Sequence, residues 1–160
     1  MNGRQTLSIT IQQATINNLE TLYQIERECF PIEAFNKQHI AYLLENPNAV
    51  SLMAQINNAI AGFIIGLIHR HNEKITGRIY TIDVAAKYRR KGVGSELLDE
   101  IERIFAKRGV KICYLELRKD NMAALELYHK HGYVEVEELK HYYKGVHGVR
   151  LEKKLGDMSC

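Results

Sequence analysis

Ile9 and Ile11 alternate with polar residues across Ser8–Ala14, the period-two signature of a half-buried strand. The period then lengthens: Leu19, Leu22, Ile25 and Cys29 recur at helical spacing over residues 15–29, and Pro31 cannot extend that helix. Asn36 is a candidate cap for a second helix that runs through Glu45 and stops before Asn46-Pro47. Val50–Ile56 reads as a strand and Asn57-Asn58 as a hairpin turn. Ala59–Ile68 is a nearly unbroken apolar strand, of the kind covered on both faces. A polar loop over 71–77 leads into a strand over Arg78–Ala85, then a basic, glycine-bearing loop over Lys87–Gly94. Ser95–Arg108 carries Leu97, Leu98, Ile101, Ile104 and Phe105 on one helical face, and Gly109 suits the residue that closes it. Lys111–Arg118 is a strand. Asp120 or Asn121 caps a helix through His131, closed by Gly132, on which His129 and His131 read as surface residues. Tyr133–Leu139 and Val149–Leu155 are two last strands joined by a Tyr/Gly/His-rich loop. This order predicts an α/β domain, a mixed sheet with helices on both faces.

Composition narrows the class. With 160 residues, 46% hydrophobic and 26% charged, the chain has the make-up of one ordinary globular domain (1–160) with short flexible ends, about 1–6 and 156–160. A formal net charge of +3 gives no case for a dedicated nucleic-acid binder. The longest apolar run, Ala59–Ile68, is too short to span a bilayer, and the N-terminus lacks the pattern of a signal peptide. Cys29, Cys113 and Cys160 are odd in number and scattered, which argues against a disulfide framework and for a reducing, cytoplasmic setting. His69 and His71 share a strand face, but no further ligands lie nearby in sequence to make a metal site.

The chemical signal is Arg89-Arg90-Lys91-Gly92-Val93-Gly94 between a strand and a helix opening at Ser95. A helix start offers unpaired amides and the positive end of the helix dipole, and glycine lets a backbone approach an anion closely. Strand, Gly-x-Gly and helix thus form a phosphate cradle, with three cations at its mouth. A dinucleotide fingerprint wants a third glycine where Leu97 stands, and a Walker A loop wants Gly-Lys-Ser/Thr at the helix start. A basic, solvated turn is the other reading of the same residues.

Ile82-Asp83-Val84 followed by Tyr88-Arg89-Arg90-Lys91-Gly92-Val93-Gly94-Ser95-Glu96-Leu97-Leu98 resembles motif A of the GNAT acyltransferases. Tyr114 to Arg118, Asn121, Ala123-Ala124, Leu127-Tyr128 and His131-Gly132-Tyr133 resemble motif B. Within that superfamily the chain is most similar to RimI-type and archaeal protein N-terminal acetyltransferases, through Phe30-Pro31, Leu115-Glu116-Leu117-Arg118 and Tyr142-Tyr143. The resemblance implies a mostly antiparallel seven-stranded sheet with a V-shaped splay between strands 4 and 5. It implies acetyl-CoA as donor, no metal, and the α-amine of a protein or peptide as acceptor. A ribosomal protein is among the acceptors it suggests, with no direct nucleic-acid or membrane partner and a monomer or weak homodimer. Ile82, Asp83 and Val84 would offer backbone groups to the pantetheine arm. Arg89, Arg90, Lys91, Gly92, Val93, Gly94 and Ser95 would hold the diphosphate, with Asn121 and Tyr128 also on the cofactor. Glu116 matches the proton acceptor and Tyr128 the proton donor. Phe30, Pro31, Ile32, Glu116, Tyr142 and Tyr143 would shape the acceptor site. Two departures bear on acceptor choice: His147-Gly148-Val149-Arg150 replaces an acidic pair common in RimI-type proteins, and Ile32 stands where Trp is common.

A peptide α-amine has a pKa near 7.7–8.0, so roughly a tenth is neutral at pH 7, whereas a lysine amine is neutral only about 0.04% of the time. An α-amine therefore asks little of a base, and Glu116 suits proton removal through an ordered water. Alternation turns Cys113, Leu115 and Leu117 to one face and Glu116 to the other, and on spacing alone Glu116 equally fits an ion pair with Arg118. Lysine, polyamine or small-amine acetylation, or a silent acetyl-CoA-binding module, remain the competing functions.

Overall fold

A computed structural model describes residues 8–32, 34–143 and 145–156; the side chains of Tyr142 and Tyr143, and Cys160, lie outside the described residues. The elements are β1 (Ile9–Gln13), α1 (Leu19–Cys29), α2 (Lys37–Glu45), β2 (Ala49–Ile56), β3 (Ala59–His71), β4 (Lys74–Val84), α3 (Val93–Lys107), β5 (Ile112–Arg118), α4 (Met122–Lys130), β6 (Val134–Tyr143) and β7 (Val146–Lys154). The sheet order is β1-β2-β3-β4-β5-β7-β6. Every neighbouring pair is antiparallel except β4 and β5. One core packs α3 and α4 on one sheet face, with Leu97, Leu98, Ile101 and Phe105 fully buried. A second packs α1 and α2 on the other, around Leu22, Ile40 and Phe63. No helix among the described residues is long and apolar enough to cross a membrane.

Element order follows the sequence pattern, and several boundaries differ for physical reasons. The first helix begins as a short 3-10 turn over Ile16–Asn18, capped by Thr15. The polar stretch 71–77 is not a loop: β3 and β4 run on through it as a hairpin, with Asn72 at φ +56 in the turn. Likewise β6 extends to Tyr143 and β7 starts at Val146. In both hairpins backbone ladders continue beyond the apolar core, so no hydrophobic alternation marks the extended strands.

The decisive irregularity is in β4. Ile65 faces Thr81, but the next residue of β3, Gly66, faces Ile79, so Tyr80 is an extra residue, a β-bulge. Before it, Ile75 and Ile79 turn to the α3 face; after it, Ile82 and Val84 do. Thr81 and Asp83 are thereby delivered to the opposite face, against α1.

Candidate active site

β4 and β5 pair over only three positions, Thr76–Arg78 against Ile112–Tyr114, and then part. The gap between them is a cleft of about 280 Å³. Phe30, Ile82, Glu116, Asn121 and Tyr128 line it together. These residues come from the C-cap of α1, β4, β5, the α4 cap and α4, so only the fold could bring them to one place. Cys113, Leu115 and Leu117 are buried while Glu116 is on the half-exposed alternate face, as the strand pattern requires. Asn121 Oδ1 accepts the Ala124 amide at 3.2 Å, which caps α4 and fixes the side chain at the cleft wall. Tyr128 is 3% exposed, and its ring stacks edge-on against Tyr133 at 5.2 Å. Burial, and the negative charges of neighbouring groups, push its phenol up from the ordinary value of 10.

The backbone phase of β4 separates its three predicted cofactor residues. Ala85 gives its amide to Ala61 O at 2.8 Å across the β3 ladder. Alternation then sets the main-chain groups of Asp83 on the β3 side, and turns those of Ile82 and Val84 toward the open edge. The Val84 carbonyl there already receives Arg89 Nε at 3.2 Å and Cys29 Sγ at 3.4 Å. Arg89 is thus engaged at the strand end, whereas Arg90 and Lys91 are exposed at the mouth of α3.

Gly92 is the N-cap of α3, at φ +85, and Arg90 adopts φ +60. A Cβ at Gly92 would meet nothing within 4 Å, so glycine is needed there for backbone conformation and not for space. A Cβ at Gly94 would lie 3.3 Å from Leu127 Cδ2, so its small size lets α4 close on the loop. The helix starts at Val93, two residues earlier than its pattern predicts, which puts Val93, Gly94 and Ser95 in the first turn. First-turn amides have no helical acceptor, and with Arg90 and Lys91 beside them the donor set suits a diphosphate.

The acceptor side is only partly as expected. Phe30 lines the cleft; Pro31 and Ile32 are exposed and do not, Ile32 being 86% accessible. Glu26, Phe35, Arg78, Tyr80 and Thr81 are among the cleft residues that the sequence motifs did not assign to the site. Glu26 and Asp83 are each 1% exposed and share Thr81 between them. Thr81 Oγ lies 2.9 Å from Glu26 Oε1 and 2.5 Å from Asp83 Oδ1, and the Phe35 amide donates to Glu26 Oε2 at 3.1 Å. One hydroxyl proton serves only one of two carboxylates, so the second contact needs a proton on an acid. Burial and the Glu26 charge hold Asp83 well above the usual carboxyl range. The consistent assignment is Asp83 O–H to Thr81 Oγ and Thr81 O–H to Glu26, whose other oxygen accepts the Phe35 amide and so clamps the α1–α2 connection.

His131 also departs from expectation. Its side chain is 11% exposed, with Nδ1 3.2 Å from Asp99 Oδ1 and Nε2 3.0 Å from Ser95 Oγ.

A family model described as "Acetyltransferase (GNAT) family" matches residues 19–133. N-alpha-acetyltransferase 50 of Danio rerio is 29% identical over 150 residues, covering 91% of this chain and 84% of its own length. The solved ribosomal-protein-S18-alanine N-acetyltransferase of Escherichia coli has a similar fold, with a TM-score of 0.82 at 22% identity over 96% of this chain and 97% of that one. Arabidopsis thaliana NAA60 in complex with acetyl-CoA gives a TM-score of 0.82 at 21% identity, over 92% of this chain and 99% of that one.

Proposed function

This chain belongs to the GNAT acetyltransferase family, and from that premise we propose that it acetylates the N-terminal α-amine of proteins or peptides in the cytoplasm, by direct attack in a ternary complex. The observation that carries the reading is the parting of β4 and β5, which gathers Glu116, Asn121 and Tyr128 around one cleft beside the glycine loop. Acetyl-CoA, when bound, supplies an acetyl thioester.

The chain's own groups divide the remaining work. Amides of the first α3 turn, with Arg90 and Lys91, hold the diphosphate. The outward-facing main chain of Ile82 and Val84 orients the pantetheine arm and offers amide donors where negative charge develops on the carbonyl oxygen. Glu116 takes the amine proton through a water. A thiol resembling cysteine has a pKa near 8.5, below the tyrosine phenol near 10, so Tyr128 serves as a neutral hydrogen-bond donor to the departing sulfur. Phe30, Phe35 and Tyr80 form the acceptor wall, and Glu26 holds that wall through Phe35.

Charge at the cleft favours a peptide end over a polyamine. Among the described lining residues the acids Glu26 and Glu116 are matched by Arg78 and Arg118, where a polycation would be met by an excess of acid. The test is acetyl-CoA turnover against short peptides with varied first residues, ribosomal-protein N-termini among them, beside N-blocked peptides carrying lysine. Turnover confined to free α-amines supports the reading. Preference for blocked lysine peptides or for polyamines overturns it.

A further inference from the structure

His131 sits where two helices meet. It follows the last turn of α4, and both of its ring nitrogens reach back to α3: Nδ1 to Asp99 and Nε2 to Ser95. Ser95 belongs to the first turn of α3, the turn whose amides face the diphosphate seat. The arrangement is a chain of carboxylate, imidazole and hydroxyl that ends at an anion site. It takes no part in the chemistry at Glu116 and Tyr128.

Proton bookkeeping along this chain gives it a consequence. The Asp99 carboxylate lies 3.2 Å from Nδ1, an ion-pair distance, and its negative charge favours placing the hydrogen of the neutral ring on Nδ1. In the neutral ring Nε2 is bare, and the Ser95 hydroxyl must spend its only proton on Nε2. Its oxygen lone pairs are then all that the hydroxyl can show to an anion. In the charged ring Nε2 has a hydrogen and donates to Ser95 Oγ. The hydroxyl proton is released to point outward, where a phosphate oxygen can accept it. The charged ring also adds a positive charge one side chain away from the seat. Both effects favour the protonated ring when a diphosphate is present, and by linkage the ligand must draw a proton from solvent.

We infer that His131 is a positioning residue for the diphosphate seat, and that binding of coenzyme A takes up a proton at its Nε2. The inference rests on the cofactor reading of the glycine loop. The charged groups around the ring are consistent with it. On α3, Asp99 favours the imidazolium, and Glu102 is already held by Lys153 of β7 at 2.6 Å and by the Tyr133 hydroxyl at 2.9 Å. Lys130 precedes His131 in the chain, and Arg90 and Lys91 stand exposed at the helix mouth, where a diphosphate would offset their charge. Histidine is the side chain whose unperturbed charge change lies near neutral pH.

The experiment is calorimetric titration of the intact protein with coenzyme A, in two buffers of different ionisation enthalpy, at several values between about pH 6 and 8.5. Wild type and His131→Gln are compared. The 3′-phosphate of the ligand titrates against both and drops out of the difference. Expected for wild type is an extra uptake of up to about one proton per ligand bound, with affinity that weakens several-fold as pH rises, and none of this excess in His131→Gln. Asp99 is 68% exposed, so Asp99→Asn leaves the fold intact; it should move the uptake to lower pH. Equal uptake by wild type and His131→Gln, with Asp99→Asn indistinguishable from wild type, overturns the inference while the cofactor reading stands. No binding of coenzyme A to the wild type overturns the cofactor reading itself.

Discussion

Tyr128→Phe removes one oxygen and leaves the packing in place. The ring is 3% exposed and keeps its edge-on contact with Tyr133 as phenylalanine. The fold should lose no more than about 1 kcal/mol, the net worth of an ordinary hydrogen bond. The catalytic loss is set by what the hydroxyl does. Its pKa is already above that of a thiol in water, and burial among negative neighbours pushes it further up. Complete proton transfer to the thiolate is therefore uphill, and the contribution is a hydrogen bond to a developing anion. Such a bond is worth about 1.5–3 kcal/mol, which corresponds to a loss in kcat of about 10- to 150-fold. The assay is release of free thiol at saturating peptide and acetyl-CoA, with coenzyme A affinity measured separately. Affinity should change little. The alkaline limb of the pH–rate profile should keep its shape, because the phenol stays protonated through the assay range. A kcat within about twofold of wild type, or an alkaline limb that disappears with the hydroxyl, would refute the reasoning.

Three other perturbations probe separate parts of the molecule. Glu116→Gln keeps shape but removes the carboxylate proposed as base; kcat should fall by about 100-fold with coenzyme A affinity preserved, and full activity would return Glu116 to an ordinary sheet residue. Asp83→Asn replaces a protonated acid with a neutral donor to Thr81. Because the folded pKa of Asp83 is raised, its stabilising contribution is complete below the ordinary value of 3.8 and is lost as pH climbs through the folded value. Relative to the variant, wild type should therefore weaken toward higher pH in urea titrations, and parallel curves for the two proteins would count against a buried proton. Gly77→Ala would place a Cβ 2.5 Å from Phe105 Cε2, and a fully buried ring has nowhere to yield. The expected loss is about 1–3 kcal/mol, partly restored by Phe105→Leu in a double-mutant cycle; strict additivity would show that the two sites do not touch.

Local patterns determined much of this protein without any knowledge of its partners in space. Alternation through Cys113, Leu115 and Leu117 turned Glu116 away from the core, and the helical stripe of Leu97, Leu98, Ile101 and Phe105 identified α3. Asn36 and Asn121 announced two helix starts through their capping chemistry. Gly92 marked the turn that opens α3, because a backbone at positive φ beside a helix start is written in residue type. Each of these is a short-range property that a few neighbouring residues enforce. What the tertiary structure alone decided depends on register and on distant contacts. A bulge exists only relative to a partner strand, so the shift at Tyr80 is invisible in the sequence of β4, yet it carries Thr81 and Asp83 to the α1 face. Glu26 meets Asp83 through Thr81 across more than fifty residues of chain, and His131 turns inward because α3 happens to present Ser95 and Asp99 to it. Those proton-bearing contacts arise from packing between elements, whose relative placement no local periodicity encodes.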